Sequence, residues 1–371
     1  MRWEKTAGHA MALVVVACTG AGGESGTSAP GSAASTQAPP AAISSTTTAD
    51  QETSSTAQAT DSLVPVARGH LAMASIDEEI GVMLFGGVTA PPPDWEVLTD
   101  AWTMASGGWQ RLDGIASVGG DTIAYDSGSG LVILYTAWEG PSEIWALAPS
   151  TGVWSQMSTD TVPQGLWAPH HVYDSESDVT ILVGPPDPAP QPEIATWAYD
   201  VDTDTWTEMR SADAMPKRWF PAMTYDSASD RVIVFGGFSA SDEPLGDTWV
   251  YDYDSDTWTE MTPDSSPPAR GYSAMAHDPV SNRAVLFGGS THPDPLNDTW
   301  VYDYEANNWT ELEVEVKPLA REKHGMALNP VNGTIVMFGG AVPAGAWPDW
   351  EALPADTWIF HPAAETWTQV P

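Results

Sequence analysis

Paired tryptophans recur along this chain and constrain its fold more than any other feature. The pairs are Trp102/Trp109, Trp145/Trp154, Trp197/Trp206, Trp249/Trp258, Trp300/Trp309 and Trp358/Trp367. They divide the chain after its first sixty or so residues into six units of about fifty residues each. Units of that length are typical of repeat folds, in which each unit buries its apolar faces against its neighbours.

Each unit contains four short segments that read as β-strands. In the fourth unit they are residues 219–225, 231–235, 248–251 and 257–261, separated by turn-forming residues. The second segment of every unit is a continuous apolar run, which predicts a strand buried on both faces. The first segments carry small residues, which suit strands crowded around a central axis. The pattern predicts one four-stranded antiparallel sheet per unit, arranged radially.

Four short motifs recur along the units. A double glycine follows the second strand, an Asp-x-Trp opens the third, a Trp lies in the fourth, and an Arg precedes the first. Together these motifs resemble those of the kelch family. The double glycines are Gly86-Gly87, Gly236-Gly237, Gly288-Gly289 and Gly339-Gly340, and the arginines are Arg68, Arg218, Arg270 and Arg321. Units two and three depart from the pattern, with Thr136-Ala137 and Gly184-Pro185 in place of the glycines and no opening Arg.

The resemblance covers residues 65–371 and implies an all-β, six-bladed kelch-type β-propeller with four antiparallel strands per blade. The domain is expected over residues 63–371. Its blades are expected at about 65–114, 115–163, 164–216, 217–268, 269–318 and 319–371. The last blade has a fourth strand of its own, so we expect the ring to close by packing against blade one.

The first residues combine a basic start, a short apolar run and a cysteine. Arg2 and Lys5 precede the apolar run, 10–17, which is too short to span a bilayer and fits a signal peptide. The run ends at Cys18, the one cysteine of the chain. This order resembles a bacterial lipoprotein leader. The resemblance implies cleavage after residue 17, a lipid on Cys18, and an exported protein anchored to a membrane of the cell envelope.

Residues 18–62 are rich in Ser, Thr, Ala, Pro and Gly. They contain no periodic apolar face, so this segment predicts a disordered tether between the anchor and the propeller. The tether would hold the propeller clear of the membrane surface.

The charge of the chain limits its partners. There are 50 Asp and Glu against 13 Lys and Arg, for a formal net charge of −37. Such a surface repels nucleic acid and anionic lipid, so we expect no nucleic-acid partner and membrane contact through the lipid anchor alone. We expect a monomer.

Basic and aromatic residues are concentrated at the loops beside the double glycines and at the starts of the first strands. The ligand-face candidates are Arg68, Trp167, Arg218, Trp219, Arg270, Tyr272, Arg321, His324, Trp347 and Trp350. Arginine forks pair with carboxylates and aromatic faces suit sugar rings, so an acidic carbohydrate is one expected ligand. In the alternative interpretation, these arginines join the blades and these tryptophans pack the loops.

The opposite face carries short acidic turns. Asp200, Asp202 and Asp204 form one Asp-x-Asp-x-Asp run, and Asp252, Asp254 and Asp256 form another. Hard cations such as calcium bind carboxylates in such runs, but the full calcium-loop motif is absent. We expect turns stabilised by side-chain hydrogen bonds of the aspartates, and no metal site.

The sequence favours a non-catalytic binding module, with a glycan or a protein as ligand and no cofactor. Copper radical oxidases of this architecture need a cysteine in the propeller, and Cys18 lies in the leader. A sugar epimerase or lyase that uses Arg270, Arg321, Glu322 and His324 is one alternative. A protein-binding scaffold in an envelope assembly is another. A pocket at the axial mouth would favour a glycan ligand or an enzyme, and a flat aromatic rim would favour a scaffold.

Overall fold

The six predicted blades are present as six four-stranded antiparallel sheets. The computed structural model describes residues 64–89, 96–112, 122–137, 141–159, 161–186, 192–343 and 351–371. These residues belong to one unit, Ser62–Pro371, and they form a six-bladed β-propeller. Over the same ranges the structure has strands and turns and no α-helix. It likewise has no helix there that is long and apolar enough to cross a membrane.

Within each blade, the strands follow one another in chain order from the axis to the rim. Blade one comprises Ala72–Ser75, Val82–Val88, Val97–Met104 and Trp109–Arg111. Blade two comprises Thr122–Asp126, Leu131–Thr136, Glu143–Ala148 and Val153–Gln156. Blade three comprises His170–Asp174, Val179–Gly184, Ala195–Asp200 and Thr205–Met209.

The second half of the ring follows the same plan. Blade four comprises Ala222–Asp226, Arg231–Phe235, Thr248–Asp252 and Thr257–Met261. Blade five comprises Ala274–Asp278, Arg283–Phe287, Thr299–Asp303 and Asn308–Glu311. Blade six comprises Gly325–Asn329, Thr334–Phe338, Thr357–His361 and Thr366–Gln369. Two short pairs lie outside the blades, Arg218–Trp219 with Phe238–Ser239 and Val342–Pro343 with Glu351–Ala352.

The first strand of blade four begins later than the sequence predicts. Residues 219–225 read as one strand, but the structure has a two-residue strand, Arg218–Trp219, and then the blade strand Ala222–Asp226. Phe220 breaks the extended chain because its φ is 52°, in the left-handed region. The same break recurs in other blades and shapes the site described below.

The core lies between the blades. The second strands of blades four to six are buried throughout apart from the first residue of two of them. Six apolar clusters fill the ring, and each one joins two neighbouring blades. A blade therefore depends on both of its neighbours for burial of its faces, as expected for a repeat fold.

The ring closes without strand exchange. The first strands contact one another in a closed circle, and those of blades one and six are neighbours in it. The backbone N–H of Gly340 in blade six donates to the carbonyl of Arg68 in blade one at 2.9 Å. The indole N–H of Trp109 in blade one donates to the hydroxyl of Thr357 in blade six at 2.8 Å. Packing and these bonds close the ring, as expected.

The acidic turns are held by their own aspartates. Asp200 accepts a hydrogen bond from the backbone N–H of Thr203 at 3.0 Å, and Asp252 accepts one from Ser255 at 3.2 Å. The last carboxylate of each run accepts from a tyrosine, Tyr199 on Asp204 and Tyr251 on Asp256. These contacts confirm the structural interpretation of the runs.

Candidate functional site

Four residues at one mouth of the propeller share an unusual backbone conformation. Each lies two positions after one of the four opening arginines, and each has φ between 52° and 60°: His70, Phe220, Tyr272 and Lys323. Ala168 of blade three, with φ of 45°, lies just before the first strand as they do. Residues other than glycine rarely adopt this conformation, and its recurrence at functional sites makes the mouth a candidate site.

Backbone hydrogen bonds connect these four residues from blade to blade. The N–H of Tyr272 donates to the carbonyl of Phe220 at 3.0 Å, and the N–H of Lys323 donates to that of Tyr272 at 3.0 Å. The N–H of His70 then donates to the carbonyl of Lys323 at 2.9 Å, across the closing point of the ring. We call these four residues the collar. It fixes the left-handed backbone of each member against that of the next.

The aromatic side chains of the collar meet over the axis. The rings of Phe220 and Tyr272 stack with centroids 4.3 Å apart. His70 lies 5.9 Å from Tyr272 and 6.3 Å from Phe220, and Trp167 lies 5.7 Å from Phe220. Blades one and four are opposite in a ring of six, so the contact between His70 and Phe220 spans the axis. The four half-buried rings cover this mouth with an aromatic surface.

The charges around the collar are compensated. The ammonium of Lys323 lies 2.8 Å from a carboxylate oxygen of Glu322 and 5.1 Å from the centroid of the Tyr272 ring. Burial, and then the nearby Lys323 ammonium, lower the pKa of His70 to about 3. His70 is therefore neutral at physiological pH, and the mouth presents aromatic surface with little net charge.

The four opening arginines lie beneath the mouth and not on it. Each guanidinium is fully buried and forms two hydrogen bonds to one aspartate of its own blade. The pairs are Arg68–Asp100, Arg218–Asp247, Arg270–Asp298 and Arg321–Asp356, with shortest distances of 2.6–2.7 Å. Burial by itself would raise the pKa of these aspartates, but bonds from the arginine and the following tryptophan hold it below its usual value.

These arginines therefore differ from the ligand groups anticipated from the sequence. Arg270 also donates to the carbonyls of Pro268 and Gly288, so its side chain joins the segment before the first strand, the double glycine and the third strand of blade five. The alternative interpretation, that these arginines join the blades, is also wrong for the side chain, which joins strands within one blade. The backbone carbonyl ties neighbouring blades, since that of Arg270 accepts from Gly237 of blade four at 2.8 Å.

The remaining residues singled out from the sequence lie in different environments. Trp219 is half-buried, with the Lys217 ammonium 5.5 Å from its ring centroid. His324 is buried against Phe287, and burial, then Arg321, lowers its pKa to about 3. Glu322 is also buried, so the side chains weighed for an epimerase or lyase do not line an open cleft. Cys18, Trp347 and Trp350 lie outside the described residues.

Of the four collar residues, Tyr272 alone was among the ligand-face candidates. His70, Phe220 and Lys323 were not. A usable signal was present, because all four follow an opening arginine by two positions. Their left-handed backbone was not predictable, since no glycine or asparagine marks it.

Comparison with known proteins places the repeats in one family. The model of the KLHDC2/KLHL20/DRC7 Kelch-repeats domain matches residues 169–371. Adagio protein 3 of Arabidopsis thaliana is 29% identical over 153 residues, which cover 39% of this chain and 23% of that protein. An F-box/kelch-repeat protein of Arabidopsis thaliana is 30% identical over 128 residues, covering 30% of this chain and 26% of the relative.

A third relative gives the same result. Adagio-like protein 1 of Oryza sativa subsp. japonica is 28% identical over 153 residues, or 39% of this chain and 23% of the relative. The chain spans about a quarter of the length of the curated relatives it matches. The similarity therefore concerns the propeller repeats and not the complete relatives.

Proposed function

The chain belongs to the KLHDC2/KLHL20/DRC7 kelch-repeats domain family, and from that premise we propose that it is a non-catalytic protein-binding module. Kelch propellers are typically protein-interaction modules. The partner contributes an apolar segment that lies on the aromatic mouth. The observation that carries this proposal is the collar, whose rings stack and meet across the axis.

The form of the mouth favours a polypeptide partner. His70, Phe220, Tyr272 and Trp167 cover the axis with half-buried rings. Aromatic residues are enriched at the energetically dominant centres of protein interfaces, because they bury a large area at a low entropic cost. The backbone bonds of the collar hold the chain at His70, Phe220 and Tyr272 in place before binding, which reduces the cost of ordering these residues.

The charges of the mouth favour a neutral segment over an acidic glycan. The four arginines are already paired with aspartates, Lys323 is paired with Glu322, and His70 is neutral. An acidic glycan would find little uncompensated positive charge there, in a chain with a formal net charge of −37. Carbohydrate is the weaker candidate ligand and rests on ring stacking alone.

The proposal is tested by site-specific crosslinking in the full chain. A photoreactive phenylalanine analogue replaces Trp219 beside the mouth or, as the control, Val280, which is 86% exposed in a turn on the opposite face. We expect a crosslinked protein partner from position 219 alone, lost when Tyr272→Ala is added. Equal crosslinking from both positions, or none from position 219, would argue against the module. A glycan array with the same protein tests the carbohydrate alternative.

We propose further that the propeller is held at the bacterial cell envelope through a lipid on Cys18. The support is the order of a basic start, an apolar run and a single cysteine within the first eighteen residues. Labelling of cells with a fatty-acid probe should mark the full chain and not Cys18→Ala. Equal labelling of both proteins would rule out the anchor and leave the binding proposal untouched.

A further inference from the structure

The exposed aliphatic residues of the propeller are unevenly distributed. Seven large hydrophobic residues are exposed among those described, and five of them lie before the first strand of blade one, at the start of its third strand, or in the connection from blade five to blade six. These five, which we call the seam strip, are Val64, Val66, Val97, Val316 and Leu319. Of the other two, Val153 begins the fourth strand of blade two and Val280 lies in a turn between the first two strands of blade five, both toward the opposite face. Single exposed aliphatics need no explanation, but a grouped set marks an interaction surface.

Hydrogen bonds place three members of the seam strip, Val66, Val97 and Leu319, near the collar. The carbonyls of Val66 and Leu319 accept from the Nε of Arg68 and Arg321 at 3.0 and 3.2 Å, so the two residues occupy equivalent positions in blades one and six. Val97 pairs with Val88, whose backbone bonds to Gly69, next to His70 of the collar. Blades one and six meet at the closing point of the ring, where His70 bonds to Lys323.

Blades four and five carry prolines at the equivalent positions. Their equivalents of Val66 and Leu319 are the exposed Pro216 and Pro268, whose carbonyls accept from Arg218 and Arg270. Proline is also apolar, so the seam differs by its branched aliphatic side chains at this position and by the additional exposed valines beside them.

The charges beside the seam strip select the partner. Exposed Glu96 precedes Val97, and exposed Glu313 and Glu315 precede Val316, against one exposed Lys317. The opening arginines add no net positive charge here, because Asp100 and Asp356 neutralise Arg68 and Arg321. Together with the formal net charge of −37, this arrangement complements a segment that carries basic residues among apolar ones.

We infer that the partner of the propeller continues from the mouth across the seam of blades six and one, through a basic amphipathic polypeptide segment. This inference rests on the protein-binding function proposed above. The mouth takes the neutral apolar part of the segment. The seam strip takes its aliphatic and basic part, so binding at the strip weakens as salt rises, whereas binding at the mouth does not.

The test is a selection of random dodecapeptides on the immobilised full chain, followed by affinity measurements at low and high salt. Leu319→Asp and Val66→Asp alter the strip, Phe220→Ala alters the mouth, and Val280→Asp is the matched control on the opposite face. All three aspartate substitutions replace exposed aliphatic residues, and circular dichroism checks that each variant is folded.

We expect selected peptides that mix Lys or Arg with Leu, Val or Phe. Leu319→Asp and Val66→Asp should each weaken them about tenfold or change their salt dependence, and Val280→Asp should do neither. Peptides weakened by Phe220→Ala alone would overturn the seam strip and leave the binding function standing. If neither the strip variants nor Phe220→Ala weakened the selected peptides, or if no peptides were selected, the result would contradict both the protein-binding function and the role of the seam strip.

Discussion

Blades four to six and blades two and three share one four-stranded plan, yet different contacts hold the two regions together. In blades four, five and six, a buried arginine joins the segment before the first strand, the double glycine and the aspartate at the third strand, and blade one has the same arrangement. We call it the clamp. Blades two and three have no opening arginine, and Glu143 and Ala195 stand where the other blades have the clamp aspartate.

A second contact is present in blades four to six and missing in blades two and three. The indole N–H groups of Trp258, Trp309 and Trp367 donate to Thr196, Thr248 and Thr299 of the preceding blade at 2.9–3.1 Å. We call each such bond a latch. In blades two and three, the buried indole N–H groups of Trp154 and Trp206 have no hydrogen-bond partner.

The difference has a simple cause. The latch threonine directly precedes the third-strand tryptophan, and the residues at that position opposite Trp154 and Trp206 are Ala101 and Ile144. Neither offers a hydroxyl. The strands alone therefore suffice to form a blade. The clamps add stability within some blades, and the latches add it at some seams between blades.

The largest effect is expected from breaking a clamp in a regular blade. Asp298→Ala leaves the guanidinium of Arg270 buried without its carboxylate, which should lower the free energy of unfolding by about 3–5 kcal/mol. Urea unfolding measures it. The control is Arg210→Ala, which removes a surface ion pair whose arginine side chain is 80% exposed and should change little. A loss below about 1 kcal/mol for Asp298→Ala would show that the clamp is not a stabilising contact.

The clamps illustrate what the sequence could predict. The tryptophan pairs and apolar second strands predict the blades because each unit must bury both faces. The clamp was also predictable, since the four units with an opening arginine are the four with Asp-x-Trp, at Asp100, Asp247, Asp298 and Asp356. The joint occurrence of the two motifs predicts buried Arg–Asp pairs. The arginines considered without the aspartates suggested a ligand-binding site instead.

The collar could not be predicted in the same way. Its aromatic surface depends on backbone turns at His70 and Phe220, and left-handed φ values at such residues are set by the bonds to neighbouring blades. Those bonds connect residues about fifty or more positions apart. Local sequence carries no signal of them.

A smaller effect is expected from removing a latch. Thr248→Val keeps the shape of the buried side chain and removes the hydroxyl that accepts the indole N–H of Trp309 at 2.9 Å. The donor is then left unsatisfied, as in blades two and three, at a cost of about 1–3 kcal/mol. Urea unfolding is compared with Thr310→Val, an exposed control on the same strand as Trp309. Equal effects of the two substitutions would contradict the latch.

Lowering the pH should change the stability contributions of two equivalent aspartates, one in each region, in opposite directions. Asp126 and Asp226 end the first strands of blades two and four. Burial, and then the charge of Asp178, raise the pKa of Asp126. Burial by itself would also raise the pKa of Asp226. The hydrogen bond that His277 donates from 3.0 Å away, and bonds from the turn of Asp226, instead lower this pKa to about 2.

The direction of each stability change follows from the difference between the folded and unfolded pKa of the aspartate. The depressed pKa of Asp226 contributes stability above its unfolded pKa of about 3.9, and this contribution is lost as pH falls towards 2. The raised pKa of Asp126 costs stability at neutral pH, and that cost disappears in acid. Asp226→Asn should therefore destabilise the protein by about 1–2 kcal/mol at pH 7, whereas Asp126→Asn should not, and the difference should shrink at pH 3. Equal losses at pH 7 would contradict the assignment.

The smallest effect is expected from building a latch where one is missing. Ile144→Thr places a hydroxyl at the latch position opposite the unsatisfied indole N–H of Trp206. Ile144→Val has the same shape without the hydroxyl, so the pair of variants isolates the hydrogen bond. At an ordinary buried site threonine is less stable than valine, because its hydroxyl loses water. Here threonine should be more stable by about 0.5–1.5 kcal/mol in urea unfolding, since it satisfies a buried donor. Greater stability of the valine variant would mean that the seam between blades two and three is shaped differently from those of blades four to six, and not merely short of a hydroxyl.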